Sequence, residues 1–188
     1  IGSGKSFVTQ VFERNHGAVG ISADRIAHEL LERDDVIEEL ARRFGRGILD
    51  DSGRIVRSRL ATLVFGDDEL HGTNRKFLES VLHPRVRTEI HRRLDALRKE
   101  GVRLVILDIP LLFESGWDRE CDGVVFVDAS EATRLSRTAG RGWDASVHRQ
   151  REAHQLSLAE KKIRSRWVVE NEQDSSSTER QVADLLGN

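Results

Sequence analysis

The chain has 188 residues, of which 38% are hydrophobic and 33% are charged, and its formal net charge is −2. This length and composition predict one compact globular domain, and they exclude long disorder and a chain-wide basic excess for binding nucleic acid. No apolar run is long enough to span a membrane, no signal peptide pattern is present, and a single cysteine excludes an intramolecular disulfide, so we expect a cytoplasmic protein.

The first six residues match the last six positions of the phosphate-binding pattern G-x-x-x-x-G-K-[ST]: Ile1, Gly2, Ser3, Gly4, Lys5 and Ser6. Glycines let backbone N–H groups surround a phosphate, and the helix that follows adds positive potential. The pattern predicts that Lys5 reaches the β and γ phosphates of ATP and that the Ser6 hydroxyl binds Mg²⁺. The alternative is a glycine-rich loop that only caps a helix. Because the pattern begins in mid-loop without an initiator Met, we expect the natural chain to start upstream.

Hydrophobic spacing predicts the elements that follow this loop. A helix after Lys5 is indicated by four apolar residues at helical spacing: Phe7, Val8, Val11 and Phe12. Residues 18–21 are predicted to form a short buried strand, which makes half of a βαβ unit. Residues 24–44 carry apolar residues at helical intervals and end at Gly45, so they are predicted to be helical.

The middle of the chain is predicted to be helical. Residues 60–64 favour a short helix after a turn at residues 50–53. From Phe77 an apolar face continues to a stop at Gly101, and the His83-Pro84 pair should kink or divide this long helix.

The last part of the chain alternates strands and helices. Residues 102–109 and 124–127 are β-branched runs typical of buried parallel strands, and residues 167–169 form a last short strand. Helices are predicted over residues 131–141 and after the capping pattern at Ser157, and residues 174–178 are predicted to be a surface turn before a final helix. This alternation predicts an α/β fold with a mainly parallel sheet.

Two acidic residues lie where predicted strands end. Asp24 follows the first strand, and ligands of open α/β sheets bind at the carboxyl ends of strands, so Asp24 is a candidate to accept a hydroxyl proton. It could also serve as the N-cap of the helix from Arg25, and the two roles are compatible. Asp108 ends a hydrophobic strand and resembles the acid that positions Mg²⁺ in P-loop enzymes; a turn acid is the alternative.

Three arginines share one face of the predicted helix over residues 131–141: Arg134, Arg137 and Arg141. Arginines brought in by a mobile segment can stabilise the charge that develops on a transferring phosphoryl group. A solvated helix face is the alternative.

Taken together, these motifs resemble the dephospho-CoA kinase family over nearly the whole chain. Matching stretches occur in the family order at residues 2–6, 23–27, 44–45, 51–55, 63–65, 82–86, 110–114 and 126–128, and at Arg141, Arg151, Gln155 and Asn171. The most specific are Ala-Asp at 23–24, His-Pro at 83–84 and Pro-Leu-Leu-Phe-Glu at 110–114. A P-loop alone would indicate only a superfamily.

The resemblance implies one domain over residues 1–188, with an adenylate-kinase-like parallel sheet flanked by helices. It also implies a helical region for the CoA moiety at about residues 25–100 and a lid at about residues 137–155. The activity implied is direct in-line transfer from ATP, with Mg²⁺, to the ribose 3′-hydroxyl of dephospho-CoA. No nucleic acid or membrane partner is implied.

The same resemblance assigns roles to individual residues. Asp24 is the general base, and Lys5 and Ser6 bind phosphate and Mg²⁺. Arg137 and Arg141 belong to the lid, and Asn171 to the adenine end of ATP. The remaining residues line the acceptor side: His83, Pro110, Leu111 and Leu112.

The sequence departs from the family pattern at three places. Ser22 stands where the family usually has Asp, the segment around Asn171 reads Glu-Asn-Glu-Gln instead of Asp-Asn-x-Gly, and Gly142 follows Arg141 where many members have an acid.

Two other functions are compatible with a P-loop: a kinase for a nucleoside or small metabolite, and a nucleotide-binding paralogue without catalysis. A GTP-binding switch is disfavoured, because it would need a guanine-reading N-K-x-D element and residues 74–77 read Asn-Arg-Lys-Phe.

Overall fold

The computed structural model describes residues 1–66, 68–140, 155–172 and 174–187, which form two compact units. The helices are α1 Lys5–His16, α2 Ala23–Leu30, α3 Asp34–Phe44, α4 Arg57–Val64, α5 Glu69–Lys99, α6 Glu131–Ala139, α7 Leu158–Arg164 and α8 Ser175–Gly187. The strands are β1 Val19–Ser22, β2 Val105–Asp108, β3 Val125–Asp128 and β4 Trp167–Glu170. The α/β fold predicted from the sequence is confirmed.

The first unit contains residues 1–21 and 102–188 and holds the strands. β1 pairs with β2, and β3 pairs in parallel with β4, with Val127 opposite Val169. β1, β3 and β4 lie within one residue of their predicted bounds, whereas β2 is shorter than the predicted run of residues 102–109, since a strand extends only as far as it has a hydrogen-bonded neighbour. Around them lies a buried cluster of Val8, Val11, Phe12, Ala18, Val127, Val169 and Val182.

The second unit contains residues 22–101 and holds α2 to α5. Its buried side chains include Ile26, Val36, Leu40 and Ile90, all fully inaccessible to solvent. These residues come from the apolar faces that the sequence periodicity predicted.

Three local predictions are wrong in detail. Residues 24–44 form two helices, because Asp34 and Asp35 occupy the first turn of a new helix, where acidic side chains stabilise the helix dipole. Of the two outcomes predicted at Pro84, a kink or a division, the division is wrong, since α5 continues through it; near Pro84 the Arg85 Nη1 donates to the Val81 carbonyl at 2.8 Å. Residues 175–178 belong to α8, because the Asp174 carboxylate accepts from the Ser177 N–H at 2.8 Å and starts the helix. The Ser157 cap is confirmed, with its Oγ 3.1 Å from the Glu160 N–H.

No helix within the described residues is long and apolar enough to cross a bilayer.

Ion pairs connect α5 to its neighbours in the second unit. Arg93 binds both Glu89 of its own helix and Glu29 of α2, and Arg85 binds Glu39 of α3 at 2.8 Å. The hydrogen bond from Arg92, with a smaller contribution from Arg93, lowers the pKa of Glu89 from 4.5 to about 2 against the opposing effect of burial. Folding therefore favours the charged form of Glu89.

We expect the free energy of unfolding to fall as the pH decreases from 4.5 towards 2, because the lowered pKa of Glu89 stabilises the folded state only while the carboxylate is ionised. Glu89→Gln should reduce this slope, and the exposed Glu79→Gln on the same helix is the control. Urea titrations at several pH values measure the effect. Equal slopes for both variants would contradict the prediction.

Candidate active site

The glycine-rich loop at the start of the chain adopts the backbone that its sequence predicts. Gly2 and Gly4 have φ angles of 74° and 90°, in the left-handed region where a side chain is strained. The Gly4 carbonyl accepts from the Phe7 and Val8 N–H groups at 3.0 and 3.2 Å, so the loop leads directly into α1 at Lys5. Backbone N–H groups at such a helix start favour an anion.

A hydroxyl and a carboxylate meet at the start of α1. The Ser6 Oγ donates to the Asp108 Oδ2 at 3.5 Å, which joins the first turn of the helix to the last residue of β2. Hydroxyl and carboxylate oxygens are ligands that Mg²⁺ prefers, and it completes its shell with water and phosphate. The chemistry of this pair therefore fits the predicted metal site.

The carbonyl of Ser3 accepts two hydrogen bonds from side chains. It accepts from the Asn171 Nδ2 at 2.7 Å and from the Arg137 Nη1 at 3.1 Å. Ser3 is 7% exposed, so these bonds replace water that cannot reach the carbonyl. Two side chains that are far apart in sequence thus hold one peptide of the loop.

Asn171 is fixed on every side by hydrogen bonds. Its N–H donates to the Asp128 carbonyl at 2.8 Å, its carbonyl accepts from the Arg137 Nη2 at 2.9 Å, and its Oδ1 accepts from the Thr178 hydroxyl at 3.2 Å. Asn171 and Thr178 are 5% and 1% exposed. The side chain is therefore held in one orientation against the loop.

Helix α6 lies against the other glycine. A Cβ at Gly2 would lie 2.7 Å from the Arg134 carbonyl and 3.1 Å from the Thr138 Cγ2, so only glycine fits there. Arg134 is buried, and its Nε donates to the Ala129 carbonyl at 3.1 Å. The alternative of a wholly solvated arginine face is therefore wrong at Arg134. Arg141, the third arginine of the predicted face, lies outside the described residues.

The Pro-Leu-Leu-Phe-Glu segment forms a loop after β2. Leu111 has a φ of 57° and is 43% exposed, an uncommon combination for a large side chain. The backbone is held by Ser115 and Trp117, whose N–H groups donate to the Leu111 and Leu112 carbonyls at 2.9 and 3.0 Å. Pro110 is exposed at the start of the same loop.

Glu114 connects this loop to a later part of the chain. Its Oε1 accepts from the Leu156 N–H and the Lys161 Nζ, both at 2.9 Å. Burial alone would raise the pKa of Glu114, but the hydrogen bond from Lys161 holds it below its usual value. The carboxylate is thus charged and fixed.

In the second unit, Asp24 lies in the first turn of α2 and is exposed. The alternative that Asp24 is the N-cap is wrong, because the Ser22 Oγ caps α2 by accepting from the Arg25 N–H at 3.3 Å. Ser22 therefore has a structural use at the position where the family usually has Asp. His83 is exposed on α5.

The sequence reasoning missed Thr178. It placed this residue in a surface turn, and no local pattern indicated that its hydroxyl would contact Asn171. Only the packing of α8, which contacts α1 and β4, brings it there.

Comparisons with known proteins agree with one another. A family model described as dephospho-CoA kinase matches residues 1–177. The chain is 40% identical over 185 residues to a dephospho-CoA kinase from Symbiobacterium thermophilum, covering 97% of this chain and 75% of that protein. It is 37% identical over 187 residues to a dephospho-CoA kinase from Corynebacterium diphtheriae, covering 98% and 91%.

Solved structures give the same result. TT1252 from Thermus thermophilus superposes with a TM-score of 0.80 at 35% identity, covering 99% of this chain and 91% of that one. Dephospho-CoA kinase from Campylobacter jejuni superposes with a TM-score of 0.72 at 25% identity, covering 100% and 92%.

We expect Gly4→Ala to weaken ATP binding by roughly tenfold or more, because a side chain at this φ is strained by about 1–2 kcal/mol. In addition, the new Cβ would lie 2.2 Å from the Asn171 Nδ2. Titration calorimetry with ATP measures the change. Gly47→Ala adds the same methyl group where nothing lies within 4 Å and serves as the control. Equal affinities for the two variants would contradict the loop assignment.

Proposed function

This chain belongs to the dephospho-CoA kinase family and phosphorylates dephospho-CoA with ATP, and we propose which of its residues carry out that transfer. The observation that carries the proposal is the phosphate-binding loop with the Ser6 hydroxyl and the Asp108 carboxylate at its end. The transfer gives coenzyme A and ADP and so belongs to coenzyme A biosynthesis.

The loop residues bind the triphosphate of ATP. Backbone N–H groups of residues 1–6 donate to phosphate oxygens, and the Lys5 ammonium neutralises charge on the β and γ phosphates. Ser6 and Asp108 would hold Mg²⁺, which would offset part of the negative charge of the triphosphate. These groups favour the transition state because negative charge spreads over the γ-phosphoryl oxygens as it moves.

Asp24 activates the acceptor. Its carboxylate follows the carboxyl end of β1, where ligands bind in open α/β sheets. It accepts the proton of the ribose 3′-hydroxyl as that oxygen attacks the γ phosphorus, and the bond from phosphorus to the β-γ bridging oxygen breaks in the same in-line step. No phosphoenzyme is required.

The residues proposed to bind the acceptor come from the His-Pro motif at 83–84 and the Pro-Leu-Leu-Phe-Glu motif at 110–114. We propose that His83, with Pro110, Leu111 and Leu112, contacts dephospho-CoA. The exposed Leu111 offers an apolar surface on a loop whose backbone is fixed. The support for these assignments is the match to the family motifs, and Arg141 stays the proposed lid arginine.

A cytoplasmic location is proposed because the substrate ATP is supplied there.

Arg137 and Asn171 have other partners than those predicted. The sequence predicted a lid arginine and an adenine contact, yet both side chains donate to the Ser3 carbonyl. Their predicted nucleotide contacts remain untested predictions.

The activity is tested by ADP release with ATP and Mg²⁺ and four acceptors: dephospho-CoA, AMP, uridine and shikimate. We expect rapid turnover with dephospho-CoA alone. Turnover with another acceptor would indicate a different small P-loop kinase. ATP binding without turnover on any acceptor would indicate a nucleotide-binding paralogue.

Asp24→Asn should lower kcat by about 10²- to 10⁴-fold, because the amide cannot accept the hydroxyl proton. The dissociation constant for ATP should not change, since the side chain acts on the acceptor. Steady-state kinetics and ATP titration measure both values. Asp51→Asn, at an exposed loop position, is the matched control. Unchanged kcat in Asp24→Asn would remove the general-base assignment.

A further inference from the structure

We propose that Asn171, Arg137 and Thr178 are positioning residues, which hold the Ser3–Gly4 peptide so that its N–H group faces the phosphates of ATP. This inference rests on the proposed function only in that the loop binds the phosphates. In this proposal Asn171 and Arg137 hold the loop backbone by hydrogen bonds, and Thr178 holds Asn171.

The first argument is the geometry of one peptide group. The described residues contain no cis peptide bond, and in a trans peptide the C=O and N–H bonds point in opposite directions. Because the Ser3 carbonyl points at the Asn171 Nδ2 and the Arg137 Nη1, the Gly4 N–H points away from them. A loop with positive φ angles at Gly2 and Gly4 has little resistance of its own to rotation of this peptide. The two donors supply the resistance.

The second argument is that Thr178 holds the amide of Asn171 in place. The Ser3 carbonyl can only accept, so the Nδ2 is the end that faces it, and the Thr178 hydroxyl donates to the Oδ1 at the other end. With the amide turned over, two oxygens would face each other in a buried site. Since Asn171 is 5% and Thr178 1% exposed, water cannot correct such a mismatch.

The third argument concerns charge. The Arg137 guanidinium donates to the Ser3 and Asn171 carbonyls at 3.1 and 2.9 Å, and charge-assisted bonds are stronger than neutral ones. Withdrawing electrons from the Ser3 carbonyl makes the Gly4 N–H, in the same peptide, a better donor to phosphate. Arg137 is exposed, so solvent screens its charge and we expect the buried Asn171 to contribute more.

The test separates phosphate binding from base recognition and from stability. Thr178→Val keeps the shape and removes the hydroxyl, whereas Thr178→Ser keeps the hydroxyl. Dissociation constants are measured for ATP, GTP and inorganic tripolyphosphate, and thermal unfolding verifies that each variant is folded.

We expect Thr178→Val and Asn171→Ala to weaken the binding of ATP and of tripolyphosphate by the same factor, roughly five- to tenfold, because each variant loses a buried hydrogen-bond partner. The ratio of ATP to GTP affinity should stay at its original value, and Thr178→Ser should bind nearly as well as the unsubstituted protein. Asn15→Ala, exposed on α1, and Thr88→Val, exposed on α5, are the matched controls.

Three results would overturn the inference. The first is unchanged tripolyphosphate binding in folded variants, whether or not ATP binding weakens. If the ratio of ATP to GTP affinity also falls, Asn171 contacts the adenine instead. The second is no rescue by Thr178→Ser. The third is no tripolyphosphate binding by the unsubstituted protein. Because these readouts need no acceptor, they stay distinct from failure of the proposed function, which is absent transfer to dephospho-CoA.

Discussion

A phosphate-binding loop has to satisfy its own carbonyl groups. When successive peptides turn their N–H groups towards an anion, the carbonyls of those peptides face the protein, and a buried carbonyl without a partner is costly. Here the Ser3 carbonyl obtains two donors from side chains on α6 and after β4. The pairing of β3 with β4 and the packing of α8 bring Asn171 and Thr178 to this part of the first unit.

A side-chain hydrogen bond also fixes the backbone where β1 ends. The Ser22 hydroxyl caps the N-terminus of α2, so the Asp24 carboxylate is not used for capping. Asp24 therefore lies exposed in the first turn of α2, two residues after the end of β1. The cap also gives a physical reason for serine at a position where the family usually has an acid.

The loop after β2 that carries Leu111 is held by polar contacts. None of the seven residues of α7, all within the described range 155–172, is fully buried. The helix nevertheless binds the loop through Lys161 to Glu114 at 2.9 Å and Arg164 to Asp118 at 2.7 Å. The Arg164 guanidinium also lies 4.6 Å from the centre of the Phe113 ring. Contacts of this kind fix the loop backbone while Leu111 stays exposed.

Local patterns in the sequence determined the class of fold and the family. Apolar runs determined the strands, glycine spacing determined the loop backbone, and serine at position 157 determined a helix start, since each depends on neighbours within a few residues. The division of residues 24–44 into two helices and the continuity of α5 through Pro84 were decided by competition between local signals and packing. The contacts of Asn171 and Arg137 with Ser3, and of Thr178 with Asn171, were decided by tertiary structure alone, because all three residues lie more than a hundred residues from Ser3 and no periodicity relates them to it.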